Sequence, residues 1–143
     1  MPRIGKDINC LSLKIRRAIG NLPAVSKLNN ISGSNVFIIV YIYKNKDHDI
    51  YQRDIEKEFG MTRSTVSSIL KLMEQKNLLT RENVDGDARL KKILLTEIAE
   101  ECAIDVIKAL DDFEKKLSKN LTKEELSSFS NIMEKIENNL MEV

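Results

Sequence analysis

Apolar side chains at Ile8, Leu11, Ile15, Ala18, Leu22 and Val25 follow a 3-4-3-4-3 spacing that draws one stripe along a helix. Pro23 cannot donate its amide and disfavours helical geometry at Leu22, so this first helix is expected to end or kink there. Near the other end Leu126, Phe129, Met133, Ile136 and Leu140 repeat 3-4-3-4 behind Thr122 and Glu125, a pair that matches a capping box. A third stripe, Ile98, Cys102, Val106, Leu110, Phe113 and Leu117, runs on towards Asn120. Coiled-coil-like seams at both ends of a small chain are explained most economically by a helical homodimer interface. That reading assigns Ile8, Leu11, Ile15, Leu126, Phe129, Met133, Ile136 and Leu140 to dimerisation. The alternative is that each seam simply covers the chain's own core.

The middle of the chain reads as shorter elements separated by turn signals. Val36 to Tyr43 is an unbroken apolar run whose β-branched and aromatic content favours a buried strand, while Ser32 and Ser34 are able to cap a helix starting there. Periodicity does not arbitrate such a run, and the helix is adopted because of the resemblance described below. Tyr51, Ile55 and Phe59 share one face of a short helix that Gly60 ends by taking the left-handed conformation. Thr62 then caps a second helix with Val66, Ile69, Leu70 and Met73 inward and Arg63, Ser64, Ser67, Ser68 and Lys71 on the opposite side. Helix, three-residue turn, helix is the helix-turn-helix layout. Small hydroxyls let the backbone approach closely and bond to phosphates or base edges, and Arg63 and Lys71 supply charge, so this face fits a DNA major groove. A merely solvated surface would carry more Glu and Lys, as Glu56, Lys57 and Glu58 do on the preceding helix. After Asn77, a C-terminal cap, Leu78 to Glu82 and Leu90 to Leu95 are expected to be strands around a polar tip from Asn83 to Arg89. A hairpin directly behind a helix-turn-helix is a wing, and Arg89, Lys91 and Lys92 make it positive; arginine suits the narrow minor groove. The expected class is mainly α with a small β-hairpin wing (α+β): a winged helix-turn-helix with long N- and C-terminal dimerisation helices.

Composition narrows the chemistry. At 143 residues, 42% hydrophobic and 31% charged, the chain suits one compact domain able to bury a core. The longest apolar run is far below the roughly 20 residues a spanning helix requires, and the first residues lack a secretory pattern, so a cytoplasmic location is expected. Cys10 and Cys102 are read as reduced, core-facing thiols. One His and two scattered Cys do not assemble an ordinary zinc site, and the five glycines form neither a phosphate loop nor a dinucleotide fingerprint. No metal, cofactor or catalytic group is expected, and the chain is read as a non-enzyme. The net charge of +1 is unevenly spread: residues 1–30 carry six Lys/Arg against one Asp, 52–96 nine basic against seven acidic, and 97–143 six basic against twelve acidic. An acidic final third repels phosphate, so nucleic-acid contact belongs in the first two thirds.

Taken together, these residues resemble the MarR (multiple antibiotic resistance regulator) family of transcription factors. The stretch Gln52 to Ser67 is similar to that family's helix-turn-helix, and Leu78-Leu79-Thr80-Arg81 to its first wing strand. Asp87-Ala88-Arg89, followed by Leu95-Thr96-Glu97, is similar to its wing tip and return strand, and the long flanking helices extend the likeness to nearly the whole chain. The resemblance implies a homodimer built by residues 1–31 and 97–143, with residues 32–96 as the winged helix-turn-helix in one intertwined domain. It implies a transcription regulator, most often a repressor, that reads a palindromic double-stranded DNA operator and is released by a small-molecule effector or an oxidant. The positions it implies for DNA contact are Gln52, Arg53, Thr62, Arg63, Ser64, Thr65, Ser67, Ser68 and Lys71, with Asp87 and Arg89 in the wing. Asp87 is expected to orient Arg89 through a charge-assisted hydrogen bond. Ser68 stands where many members carry a basic or amide residue, Ala88 where a basic residue is frequent, and Asn77 and Ala99 where glycine is common. One branch of the family senses organic hydroperoxides through a Cys on its first helix, near the place of Cys10. The tyrosines that hold such a thiol are not evident, since Lys14 stands one turn later, and Cys10 is assigned to packing in the dimer seam. Arg16, Tyr41, Tyr43 and His48 are nominated for an inter-lobe ligand cleft, with the effector unidentified. Two alternatives stand beside this reading: a winged-helix module for protein–protein contact without specific DNA binding, and a Cys10-based oxidant-sensing regulator.

Overall fold

Helix α1 (Ile4–Gly20) ends before Pro23, and Pro23 opens a short helix α2 (Pro23–Ser26) at its first position, where a missing amide costs nothing. Leu22 between them is extended (ψ 132°), the geometry a residue before proline prefers. The computed structural model describes residues 1–28 and 35–143, Ala88 by its backbone alone, and divides into two units, Met1–Leu110 and Asp111–Val143. The caps expected at Ser32 and Ser34, and the expected 31/32 boundary, lie outside the described residues.

The apolar run is helical: α3 (Val36–Lys44) buries Val36, Ile38, Ile39 and Ile42, so tertiary burial overrides the strand propensity of its β-branched residues. Helix α4 (Gln52–Phe59) starts where the Tyr51 amide donates to Asp54 Oδ2 at 2.8 Å, and stops at Gly60, which takes φ 61°. Helix α5 (Arg63–Gln75) starts at Thr62, whose Oγ1 accepts the Thr65 amide at 3.3 Å. At its far end Asn77, at φ 59°, lets its amide reach the Glu74 carbonyl (3.1 Å) and the Leu78 amide reach that of Met73 (3.0 Å), a Schellman closure.

Strands β1 (Leu79–Val84) and β2 (Asp87–Leu95) pair antiparallel from Leu79↔Leu95 to Asn83↔Lys91, with an irregularity before Val84↔Asp87. The hairpin is therefore longer than the alternation of apolar residues suggests. Its turn is Asp85-Gly86, with Gly86 at φ 84°, rather than the whole stretch from Asn83 to Arg89. A further attachment was not foreseen. Tyr51 bridges Lys92, and the Ile93 amide donates to the Ile50 carbonyl at 2.8 Å, tying the wing to the segment that leads into α4.

Helix α6 (Glu97–Leu117) buries Ala99, Ala103 and Val106, while Ile98 is 55% exposed. The inward line is thus shifted by one position at its start from the expected Ile98–Cys102 stripe. Helix α7 (Lys123–Leu140) carries both halves of the expected capping box: the Thr122 amide donates to Glu125 Oε2 (2.8 Å), and the Glu125 amide to Thr122 Oγ1 (3.1 Å). No residue of 111–143 is buried in the protomer. Of the seam residues, Ile8, Leu11, Leu126, Phe129 and Leu140 are exposed, and Ile15, Met133 and Ile136 are half-buried. The cysteines also depart from expectation: Cys10 is exposed and Cys102 half-buried, because the core side of each helix is taken by other residues, such as Ile19 on α1 and Ala103 on α6. Among the described residues no helix is long and apolar enough to cross a membrane, and no three His, Cys, Asp or Glu side chains gather as metal ligands would.

Candidate nucleic-acid interface

Burial of Val66, Leu70 and Met73 on one side of α5 fixes which side faces out, since side chains at 100° intervals place Arg63, Ser64, Ser67, Ser68 and Lys71 away from the core. All five are exposed, as is Thr65. Ile55, fully buried, is the core residue of α4. The first turn of α5 is organised by the Thr62 hydroxyl, which lies 2.8 Å from Thr65 Oγ1 and 3.3 Å from Ser64 Oγ. One turn on, the Ser68 hydroxyl donates to the Ser64 carbonyl at 3.0 Å. Gln52 Nε2 donates to the Arg63 carbonyl at 3.2 Å, so this side chain braces the start of α4 against the start of α5. Arg53 lies over the Tyr51 ring at 5.6 Å, a cation–π contact that positions its guanidinium.

In the wing, Asp87 Oδ1 accepts the backbone amide of Arg89 at 2.9 Å. The carboxylate therefore holds the Arg89 backbone rather than its guanidinium. The Arg89 side chain is exposed and makes no ion pair among the described residues. Two other wing cations are neutralised: Arg81 Nε by Glu74 at 3.4 Å, and Lys92 Nζ by Glu82 at 3.7 Å.

Between the starts of α4 and α5 and the hairpin lies an open concavity of about 370 Å³, lined by Arg53, Arg63, Arg81, Arg89 and Lys91, with Glu56 as the acidic member. With Arg81 paired to Glu74, the other four cations around Glu56 still form a surface suited to a polyanionic backbone. The structure brings together Gln52, Arg53, Arg63 and Arg89 from the expected contact set. Ser67 and Ser68 continue along α5, and Lys71 lies one turn beyond Ser67. Arg81 and Lys91 were missed as lining residues. Alternation along the hairpin could have found them, because residues of β1 and β2 that share a face with Arg89 follow from the register.

The residues nominated for a ligand cleft have separate surroundings. Tyr41 packs edge-to-face on Phe59 (5.9 Å between ring centres), and burial, followed by the nearby Asp54 and Glu58 carboxylates, pushes its phenol above its usual range. Tyr43 carries the Lys46 ammonium over its ring at 4.4 Å. His48 lies beside Asp47 (3.0 Å) and lines a cavity of about 60 Å³ with Ile42, Lys46, Asp49, Lys92 and Glu100, while Arg16 is exposed on α1.

The sequence profile of the MarR family matches residues 29–90, which contain the whole of α4 and α5 and most of the hairpin. The chain is similar to the crystal structure of the transcription regulator MarR from Oenococcus oeni PSU-1, at 27% identity and a TM-score of 0.78 over 94% of this chain and 98% of that one. It is also similar to S. aureus MepR in a DNA complex, at 23% identity and a TM-score of 0.85 over 98% and 99% of the two chains. A MarR-family regulator from Listeria monocytogenes complexed with 26mer DNA matches at 18% identity and a TM-score of 0.77, over 98% and 90%. The helical architecture with its two-stranded antiparallel hairpin is the winged-helix fold of these regulators.

Proposed function

We propose that this chain, a member of the MarR family by its helix-turn-helix segment and its fold, is a sequence-specific double-stranded DNA-binding regulator of transcription. The observation that carries the reading is the cationic concavity between the recognition helix and the wing, continuous with the hydroxyl-rich face of α5. In this reading α5 enters the major groove, where short serine side chains let the helix backbone come close to base edges. Arg53, Arg63, Lys71 and Lys91 meet phosphates on either side. Arg89 reaches the adjacent minor groove from a backbone held by Asp87, with no carboxylate competing for its guanidinium.

A homodimer is supported by the apolar stripes of α1 and α7, which the protomer covers only in part: Leu11 is 54%, Phe129 58% and Leu140 67% exposed. An amphipathic helix with an open apolar stripe gains stability by burying it against a second copy. Residues 1–31 and 97–143 supply that interface in this reading, and residues 32–96 the DNA-reading part. Two-fold symmetry then presents two α5 helices to half-sites of a palindromic operator one helical turn apart. Binding there represses transcription in the cytoplasm by occluding the promoter, and a small-molecule effector that prefers a dimer with differently spaced α5 helices releases it. No catalysis or cofactor enters this scheme.

The test is a mobility shift on DNA from around the chain's own gene at several salt concentrations. Five cations per protomer, ten per dimer, give a logarithmic salt slope of up to about −9. Equal affinity for scrambled sequences, or a flat salt response, excludes specific DNA reading and points to a protein-binding module.

A further inference from the structure

Ser68 sits at the middle of the outward face of α5, opposite Val66, Leu70 and Met73, with Ser64 one turn before it. Its hydroxyl lies 3.0 Å from the Ser64 carbonyl oxygen. A carbonyl oxygen only accepts, so in this conformation, which Ser118 and Ser130 also adopt, the Ser68 proton points to the helix backbone and the side chain presents its remaining lone-pair capacity outward. Ser68 is exposed, and Ser64, one turn before it, is an equally short side chain.

We infer that Ser68 is a specificity-determining hydrogen-bond acceptor, reading an exocyclic amino group, adenine N6 or cytosine N4, in the major groove. The inference rests on the DNA-reading function proposed above and gives the recognition face a polarity. The keto oxygens of guanine and thymine are acceptors themselves, so two lone pairs meet where they replace the amino group. To donate instead, Ser68 must turn its proton away from the Ser64 carbonyl and lose that bond. The net worth of one such bond sets the preference for an amino over a keto group at about three- to tenfold.

The experiment begins by selecting an operator from randomised duplex DNA with the wild-type chain. Each adenine and cytosine is then replaced, one at a time, by the purine or 2-pyrimidinone nucleoside that lacks only the amino group. In parallel, each purine is replaced by its 7-deaza analogue, which lacks only the N7 acceptor. At one position per half-site, removing the amino group is expected to weaken wild-type binding about three- to tenfold. Ser68→Ala should show no loss there, and Ser68→Thr, which keeps the hydroxyl and its bond to the backbone, should keep the sensitivity. Melting curves check that both exposed-site variants fold as the wild type does. If Ser68→Ala is coupled to 7-deaza substitution, Ser68 donates and the inference is overturned. It is overturned equally if Ser68→Ala is coupled to no base position while the wild type selects a clear operator. Failure of the wild type to select any sequence overturns the proposed function as well, and the selection step separates that outcome from the others.

Discussion

Arg89→Ala tests whether the hairpin works as a wing, because this guanidinium is exposed and unpaired among the described residues while its backbone is held by Asp87. If each Arg89 neutralises one phosphate, the dimer loses two contacts, and the logarithmic salt slope becomes shallower by about 1.8. Across a fourfold rise in salt, from 50 to 200 mM, that difference amounts to about twelvefold in how far the affinity falls. Arg81→Ala is the internal control. Its Nε is already engaged by Glu74 at 3.4 Å, so its removal should change the slope by less. Asp87→Ala separates charge from geometry: it removes a negative charge, which by itself favours DNA, yet it frees the Arg89 backbone. Weaker binding with an undiminished slope is the expected signature. The assay is a fluorescence-anisotropy titration of each variant on one operator at five salt concentrations. Should Arg89→Ala leave both affinity and slope intact, the hairpin does not contact DNA, and the interface is confined to α5.

Three further outcomes follow from the fold. Wild-type protein should sediment as a dimer at micromolar concentration, and Leu126→Asp combined with Ile136→Asp should shift it to monomer or unfold it, by placing charge in the apolar stripe of α7; a wild-type monomer that still binds a full palindrome tightly sinks the dimer reading. Cys10→Ser should leave DNA affinity unchanged, and peroxide should not release DNA from the wild type; peroxide release that disappears in the serine variant identifies Cys10, exposed on α1, as an oxidant sensor. Asn77→Ala should destabilise the protein by about 1 kcal/mol, because alanine tolerates the left-handed backbone at φ 59° less well than asparagine does, whereas Asn77→Gly should be neutral or stabilising in a urea titration.

The parts legible from residue order alone are those whose interactions close within a few positions. Thr62, Gly60, Asn77 and the Thr122–Glu125 box each bond to a backbone group three to five residues away, so their roles need no knowledge of the rest of the chain. The outward face of α5 was legible for the same reason, since the core line of Val66, Leu70 and Met73 assigns the other side to solvent. The run in α3 was not legible: apolar all along, it satisfies a buried strand and a buried helix equally, and only the packing around Ile38, Ile39 and Ile42 decides. The same holds for the shifted inward line of α6 and for the exposure of Cys10, because periodicity names a stripe without saying which neighbour covers it. The concavity needed the Tyr51–Lys92 bridge and the hairpin register to bring Arg81 and Lys91 beside Arg53 and Arg63. Sequence by itself determined the caps, the turn before α5 and the outward face of α5, through short-range hydrogen bonds and helical period. Tertiary structure decided the length of the wing, the register of α6 and the grouping of the cations; that grouping depends on the Tyr51–Lys92 bridge and the Ile93–Ile50 bond, which join residues 41 and 43 positions apart and which no local pattern encodes.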